Sequence, residues 1–186
     1  MVMYMSPEEE NVSIAVLNGR QLKLNIGNWW NCLKGSDHLL NFYDFEVFEK
    51  DWLVVIINPH EQSEQAIVND KKTLKSYYDA HKDQIWIGYN SRNYDQYVLK
   101  AILLGFNPKE VSDWIIVKGR KGWEYSSLFN KIQLYNYDCM NKFYSLKQLE
   151  GFMGNNMKET GVSFDLKRKL TTEEIAETIK YCRHEV

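Results

Sequence analysis

Proline and glycine are scarce, at three and ten in 186 residues, which excludes a collagenous or low-complexity chain. Low hydrophobicity is missing as well: apolar residues make up 44% and aromatics 14%, enough to fill a packed interior and to exclude disorder by composition. There is no excess of positive charge. Lys and Arg number 23 against 25 Asp and Glu, a formal charge of −2, so no bulk basic field gathers polyanions and any nucleic-acid contact must come from local patches. The three cysteines, Cys32, Cys139 and Cys182, are widely separated and form neither a CxxC pair nor a Cys/His cluster of zinc spacing. A reduced, cytoplasmic setting is expected. No apolar run approaches the ~20 residues of a membrane span, and the opening Met-Val-Met-Tyr-Met-Ser-Pro lacks the basic and apolar regions of a secretory signal. Walker, GxGxxG, GxSxG and HExxH patterns are all missing, which removes the usual signals of nucleotide cradling, serine hydrolysis and zinc proteolysis. The length suits one core with a short appendage.

What is present falls into two parts. Val12 to Leu17 and Arg20 to Ile26 are strand-like runs around Asn18-Gly19, the pair preferred by a two-residue type I′ turn, and predict a β-hairpin. Residues 1–40 are thus read as this hairpin and a connector. From Asn41 strands and helices alternate. Asn41–Glu46 and Trp52–Ile57 are rich in aromatic and β-branched residues and read as adjacent strands joined by a tight turn. Asn58-Pro59 stops the second, and Asp70–Lys82 follows as a helix with Leu74, Tyr77 and Tyr78 on one face. Ile85–Ile87 reads as a strand ending at Gly88, and Tyr94–Leu104 as a helix stopped by Gly105. Ile132–Tyr137 is the next strand and Ser145–Met153 a short helix. Thr171 then opens a last helix with a capping box closed by Glu174. This interleaving predicts an α/β domain over 41–186 with a mixed sheet flanked by helices.

Acidic residues stand where apolar ones would be expected. In Phe42-Tyr43-Asp44-Phe45-Glu46-Val47, a strand sends Asp44 and Glu46 from one face and Tyr43, Phe45 and Val47 from the other. Two neighbouring carboxylates repel unless a proton or a cation sits between them, and hard oxygen ligands suit Mg²⁺ or Mn²⁺. The same pattern also describes the wet side of an edge strand. A second cluster, Gly88-Tyr89-Asn90-Ser91-Arg92-Asn93-Tyr94-Asp95, lies between a strand end and a helix start, where ligand sites of open α/β sheets gather. Asp95 in a first helical turn is equally explained by the helix dipole. A third, Tyr181-Cys182-Arg183-His184-Glu185, puts Tyr181 and Glu185 on one helical face.

Taken in order, the three clusters resemble the exonuclease motifs of the DEDDy 3′–5′ exonucleases, the proofreading domains attached to DNA polymerases. Asp44-Phe-Glu46 resembles the first motif, Asp-x-Glu. Asn90-Ser-Arg-Asn-Tyr94-Asp95 resembles the second, Asn-x₃-(Phe/Tyr)-Asp, and Tyr181-x₃-Glu185 the third, Tyr-x₃-Asp. Tyr137-Asp138 followed by Ser145-Leu-Lys-Gln-Leu is similar to a segment between the second and third motifs of such domains. The likeness spans about 41–186 and is nearest to polymerases of phages and prophages.

The resemblance implies an RNase H-like fold, two bound Mg²⁺ or Mn²⁺ ions, and hydrolysis of 3′-terminal nucleotides of single-stranded DNA. It implies that Asp44, Glu46, Asp95 and Glu185 hold the ions, with Asp44 bridging them, and that Tyr181 orients the attacking water. Asn90, Tyr94 and Phe48 are the implied substrate contacts, and Lys118-Gly-Arg-Lys-Gly122 and Lys167-Arg-Lys169 candidate phosphate contacts. A polymerase domain or subunit is the implied partner, with no membrane involved.

Two departures stand out. The family's third motif ends in Asp where this chain has Glu185, an extra methylene that moves the carboxylate by ~1.5 Å, against a tolerance of ~0.5 Å for catalytic groups. The chain also stops one residue later, at Val186, where the family continues into its polymerase. They leave a second expectation open: a noncatalytic single-strand-binding or regulatory module that keeps the exonuclease fold.

Overall fold

A computed structural model of the chain describes residues 12–17, 20–25, 39–140, 143–152 and 160–186. It divides into two compact units, one built from 39–141 and 158–186 and the other from 1–38 and 142–157. In the second unit, β1 (Val12–Leu17) pairs antiparallel with β2 (Arg20–Asn25) in the register Val12↔Asn25 to Leu17↔Arg20. The two strands are those anticipated around Asn18-Gly19; the turn itself and the connector over 27–37 lie outside the described residues. The short helix anticipated from Ser145 is α4 (Leu146–Phe152). Its start is held by the Ser145 hydroxyl, which accepts from the Gln148 amide, while the Gln148 side chain accepts from the Ser145 amide. This helix belongs to the same unit as the hairpin.

The first unit is an α/β domain. Its strands are β3 (Leu40–Val47), β4 (Trp52–Asn58), β5 (Ser63–Val68), β6 (Ile85–Gly88) and β7 (Tyr135–Asp138), in the sheet order β5-β4-β3-β6-β7. β4 runs antiparallel to its neighbours β3 and β5, whereas β6 pairs parallel with β3 and β7 parallel with β6. The result is a mixed sheet flanked by helices, an arrangement compatible with an RNase H-like fold.

Alternation along β3 sorts the two faces. Tyr43 and Phe45, at 1% and 3% exposure, join Val54, Ile56, Trp86, Val98 and Leu99 in the main core. Helix α1 (Lys71–His81) covers this face with Leu74 and Tyr78, its start capped by Asp70, whose carboxylate accepts from the Thr73 amide at 3.0 Å. α2 (Asp95–Leu104) adds Val98, Leu99 and Ile102 and ends at Gly105, whose φ of +87° requires glycine. The opposite face carries Leu53, Val55 and Cys182, the last from α5 (Thr172–Glu185).

Three sequence assignments change. β5 occupies a stretch with no assigned element; three of its six residues in a row are exposed, so an edge strand there leaves no apolar alternation to read. A further helix, α3 (Pro108–Ile116), lies in a stretch with no assigned element between Gly105 and Ile132. Asn107 caps it by accepting from the Lys109 amide, and proline at the first helical position costs no hydrogen bond. The strand anticipated from Ile132 starts only at Tyr135, because its parallel partner β6 begins there, at Ile85. Short 3₁₀ turns at Gly122–Glu124 and Ser127–Lys131 fill the chain before it. Among the described residues no helix is long and apolar enough to cross a membrane.

Candidate functional site

The C-terminal ends of β3, β6 and β7 lie side by side in the parallel part of the sheet, and each delivers part of one cluster. β3 presents Asp44 and Glu46 on the face covered by α5. Glu46 is 8% exposed and Asp44 half-buried. Asp95, in the first turn of α2, is 3% exposed, and its Oδ1 accepts from the Phe45 amide at 3.2 Å. The amide of the residue between the two first-cluster acids therefore positions the acid of the second cluster.

α5 brings the third cluster. Cys182 is fully buried, and its thiol donates to both the Asp44 carbonyl and Asp44 Oδ2, each at 3.3 Å. One residue on, Arg183 Nε donates to Glu64 of β5 at 2.6 Å, tying the helix across the sheet. Tyr181 and Glu185 share a face as the spacing required, with the phenol donating to Glu185 Oε1 at 2.5 Å. The helix start is fixed by the anticipated capping box: Thr171 Oγ1 accepts from the Glu174 amide and Glu174 accepts from the Thr171 amide. Arg168 chelates Glu174 with both terminal nitrogens at 2.7 Å and holds its carboxyl down at about 2.

The charges of the three clusters bear on one another. Burial pushes the Asp44 carboxyl well above the usual carboxylate range, and Glu46 and then Glu185 push it further. Burial likewise raises Asp95, followed by the charge of Asp44 and, more weakly, of Asp138. Tyr181 is raised by burial, by its bond to Glu185 and by the charges of Glu185, Glu46 and Asp44. Cys182 is raised by burial and by Asp44 and Glu46. Crowded carboxylates in a half-dry site are a standing repulsion that a bound cation relieves. Ligand atoms of Asp44, Glu46 and Cys182 lie within 4.8 Å of one another, close enough to surround a single ion, whereas Asp95 and Glu185 stand outside that group.

The expected substrate contacts fare differently. Asn90 stands at the end of β6 with φ of +58°, a left-handed conformation that asparagine tolerates. Its Oδ1 accepts from Asn93 Nδ2 at 2.8 Å. Tyr94 is partly buried against the main core, and its hydroxyl shares a hydrogen bond with Ser112 of α3 at 2.9 Å. Burial raises it first, with smaller contributions from the charges of Asp95, Glu46 and Asp44. Phe48 requires correction as a stacking surface for bases: it is 1% exposed and its ring lies parallel on Phe164 at 4.8 Å, so both are occupied in packing.

Two participants escaped the sequence reading. Cys182 had only its place beside Tyr181 as a signal. Asp138, noted for its sequence context but not assigned to the site, ends β7 opposite Gly88 and accepts from the Arg92 amide at 3.1 Å, which pins the loop carrying Asn90. Gly88 is equally constrained. A Cβ there would stand 2.8 Å from Ser91 Cβ and 2.9 Å from the Tyr43 carbonyl. Gly88→Ala is expected to cost about 1–3 kcal/mol through overpacking, lowering the Tm in a thermal melt by several degrees; an unchanged Tm would show that this loop is loosely held.

Comparison with protein-family models, with curated proteins and with solved structures gave no match.

Proposed function

We propose that this chain is a metal-dependent 3′–5′ exonuclease acting on single-stranded DNA, the proofreading type of module that works beside a polymerase domain or subunit. One observation carries the reading: Asp44 and Glu46 gather with Cys182 of α5, Asp95 is held by the Phe45 amide between the two, and Glu185 on α5 adds its charge to Asp44. A solvated edge strand needs no such convergence.

Asp44, Glu46, Asp95 and Glu185 are the residues that would hold two Mg²⁺ or Mn²⁺ ions. Such a pair supplies a lowered water pKa and charge neutralisation at the leaving 3′ oxygen. The chain's own groups do the positioning. The Phe45 amide fixes Asp95, the Cys182 thiol fixes the Asp44 carboxylate, and the Tyr181 phenol, kept protonated and donating to Glu185, keeps its oxygen lone pairs to accept from and orient the attacking water.

The test uses oligonucleotides labelled at the 5′ end, single-stranded or 3′-recessed, with Mn²⁺. A ladder shortened from the 3′ end, abolished by EDTA, is expected; absence of cleavage at high protein concentration removes the enzymatic reading.

The Tyr181–Glu185 contact favours a second reading. With the longer glutamate engaged by the phenol, the module would bind single strands without cutting them. Glu185→Asp separates the two. If the chain is a hampered nuclease, shortening the side chain by ~1.5 Å is expected to raise the cleavage rate by about tenfold or more, equivalent to ~1.4 kcal/mol of barrier. Binding without cleavage by both forms supports the noncatalytic module.

A further inference from the structure

Val117-Lys-Gly-Arg-Lys-Gly-Trp123 places three cations and an indole in seven residues of a chain whose formal charge is −2. Its backbone is fixed from within. The Arg120 amide donates to the Trp114 carbonyl and the Trp114 indole donates to the Lys121 carbonyl, both at 3.1 Å. Gly122 lies so close to the Tyr97 ring that a Cβ would come within 2.1 Å of it. The loop turns at Gly119, whose φ is +60°.

The side chains, by contrast, are directed outward. Trp123 is 58% exposed, and Arg120 and Lys121 are exposed; the Lys121 amide donates to Glu124 at 3.3 Å, and neither side chain forms an ion pair among the described residues. Lys118 is otherwise engaged, its ammonium 5.3 Å from the centre of the Trp114 ring. Between the loop and the start of α2 is a cleft of about 150 Å³ lined by Asn93, Tyr97, Arg120, Lys121, Gly122 and Trp123. Asn93 and Tyr97 stand two residues on either side of Asp95, so their Cα atoms lie within about 7.6 Å of its own. The cleft is smaller than the ~300–1,000 Å³ of a site that swallows a whole small ligand. It suits one unit of a longer chain that continues along the surface.

We propose that this cleft is a binding site for single-stranded nucleic acid, with a base stacked on the Trp123 indole and neighbouring phosphates on Arg120 and Lys121. The proposal rests on the nuclease reading for its substrate class: the strand held here is the one whose 3′ terminus reaches Asp44 and Asp95. An exposed indole accepts any base face, and the two adjacent cations supply backbone contacts that the chain's net charge does not.

The experiment measures anisotropy of a 5′-fluorescein dT₁₂ strand with the full chain in EDTA, across a salt series, with cleavage in Mn²⁺ followed in parallel. Trp123→Ala is expected to weaken binding by about 5- to 150-fold, with substantial recovery in Trp123→Phe. The double variant Arg120→Ala/Lys121→Ala is expected to reduce the slope of log affinity against log salt by about 1.4. Lys72→Ala/Lys82→Ala, exposed on and just after α1, serves as the remote charge control and should bind as wild type does. Because all the altered loop side chains are exposed, circular dichroism should stay unchanged.

Loop variants that bind within twofold of wild type, with an unaltered salt slope, overturn the proposal, as does a wild-type chain that does not bind dT₁₂ at all. Unaltered binding by the loop variants with cleavage intact removes this site and leaves the nuclease reading standing. Loss of binding in the loop variants with no cleavage by any form keeps this site and removes the nuclease reading.

Discussion

Asp44→Asn is expected to abolish cleavage while making the metal-free chain more stable. The carboxylate accepts from Cys182 and is raised by burial and by Glu46 and Glu185, so its charge is a liability to the fold and an asset only to a cation. Asparagine keeps an acceptor oxygen for the thiol and removes the charge. Losing the shared ligand of a two-ion site should lower the cleavage rate by about a thousandfold or more, some 4 kcal/mol of barrier. Each pKa unit of relieved repulsion is worth ~1.4 kcal/mol, and a domain of this size gains about 2–4 °C per kcal/mol, so the Tm in EDTA should rise by about 3 °C or more. A variant that melts lower than wild type in EDTA assigns Asp44 a structural role instead.

The second large effect is opposite pH dependence with and without metal. Asp44 and Asp95 have folded-state values above their unfolded ones. The stability they contribute is therefore fully present below the unfolded carboxylate range, near pH 4, and is lost as pH rises through the folded values. In EDTA the Tm should fall between pH 5 and 8 by about 3 °C or more. Divalent ions bind the deprotonated ligands, so their stabilisation grows over the same interval. At a hundred times its dissociation constant an ion contributes ~2.7 kcal/mol, a Tm gain of about 5–10 °C at pH 8, shrinking toward zero at pH 5. A Mn²⁺ effect that is flat with pH contradicts binding at these carboxylates. Glu174 behaves in the reverse sense and separately: held low by Arg168 and the Thr171 amide, its contribution to the α5 start is present above the unfolded value and lost only as pH falls toward about 2.

The sequence was most informative where local chemistry decides structure. The alternation of Tyr43 and Phe45 with Asp44 sorted the two faces of β3, Gly105 stopped α2, and Thr171 with Glu174 opened α5. It was silent where burial or topology decides. Ser63-Glu-Gln-Ala reads as loop because an exposed edge strand carries no apolar alternation. Residues 108–116 received no element although Asn107 followed by proline is how a helix begins. Within the site, Asp44, Glu46, Asp95, Tyr181 and Glu185 were nameable from spacing and resemblance. The two donors that hold the acids in place were not: the Phe45 amide carries no side-chain signal, and the buried Cys182 looks like any small apolar residue until α5 is packed on β3. Phe48 misled for the opposite reason, since an aromatic beside an acidic motif suggests stacking whether its partner is a base or Phe164.

The central proposal is that Asp44, Glu46, Asp95 and Glu185, from three distant segments, would hold two divalent ions, with Asp44 needed for both. The most direct measurement is a Mn²⁺ titration of the full chain at pH 8 read by electron paramagnetic resonance, for wild type and for Asp44→Asn. The account requires two ions per wild-type chain with a spin-coupled signal, and loss of the coupled pair in the variant. Failure of the wild-type chain to bind a coupled pair at millimolar Mn²⁺, or an unchanged signal in Asp44→Asn, contradicts it.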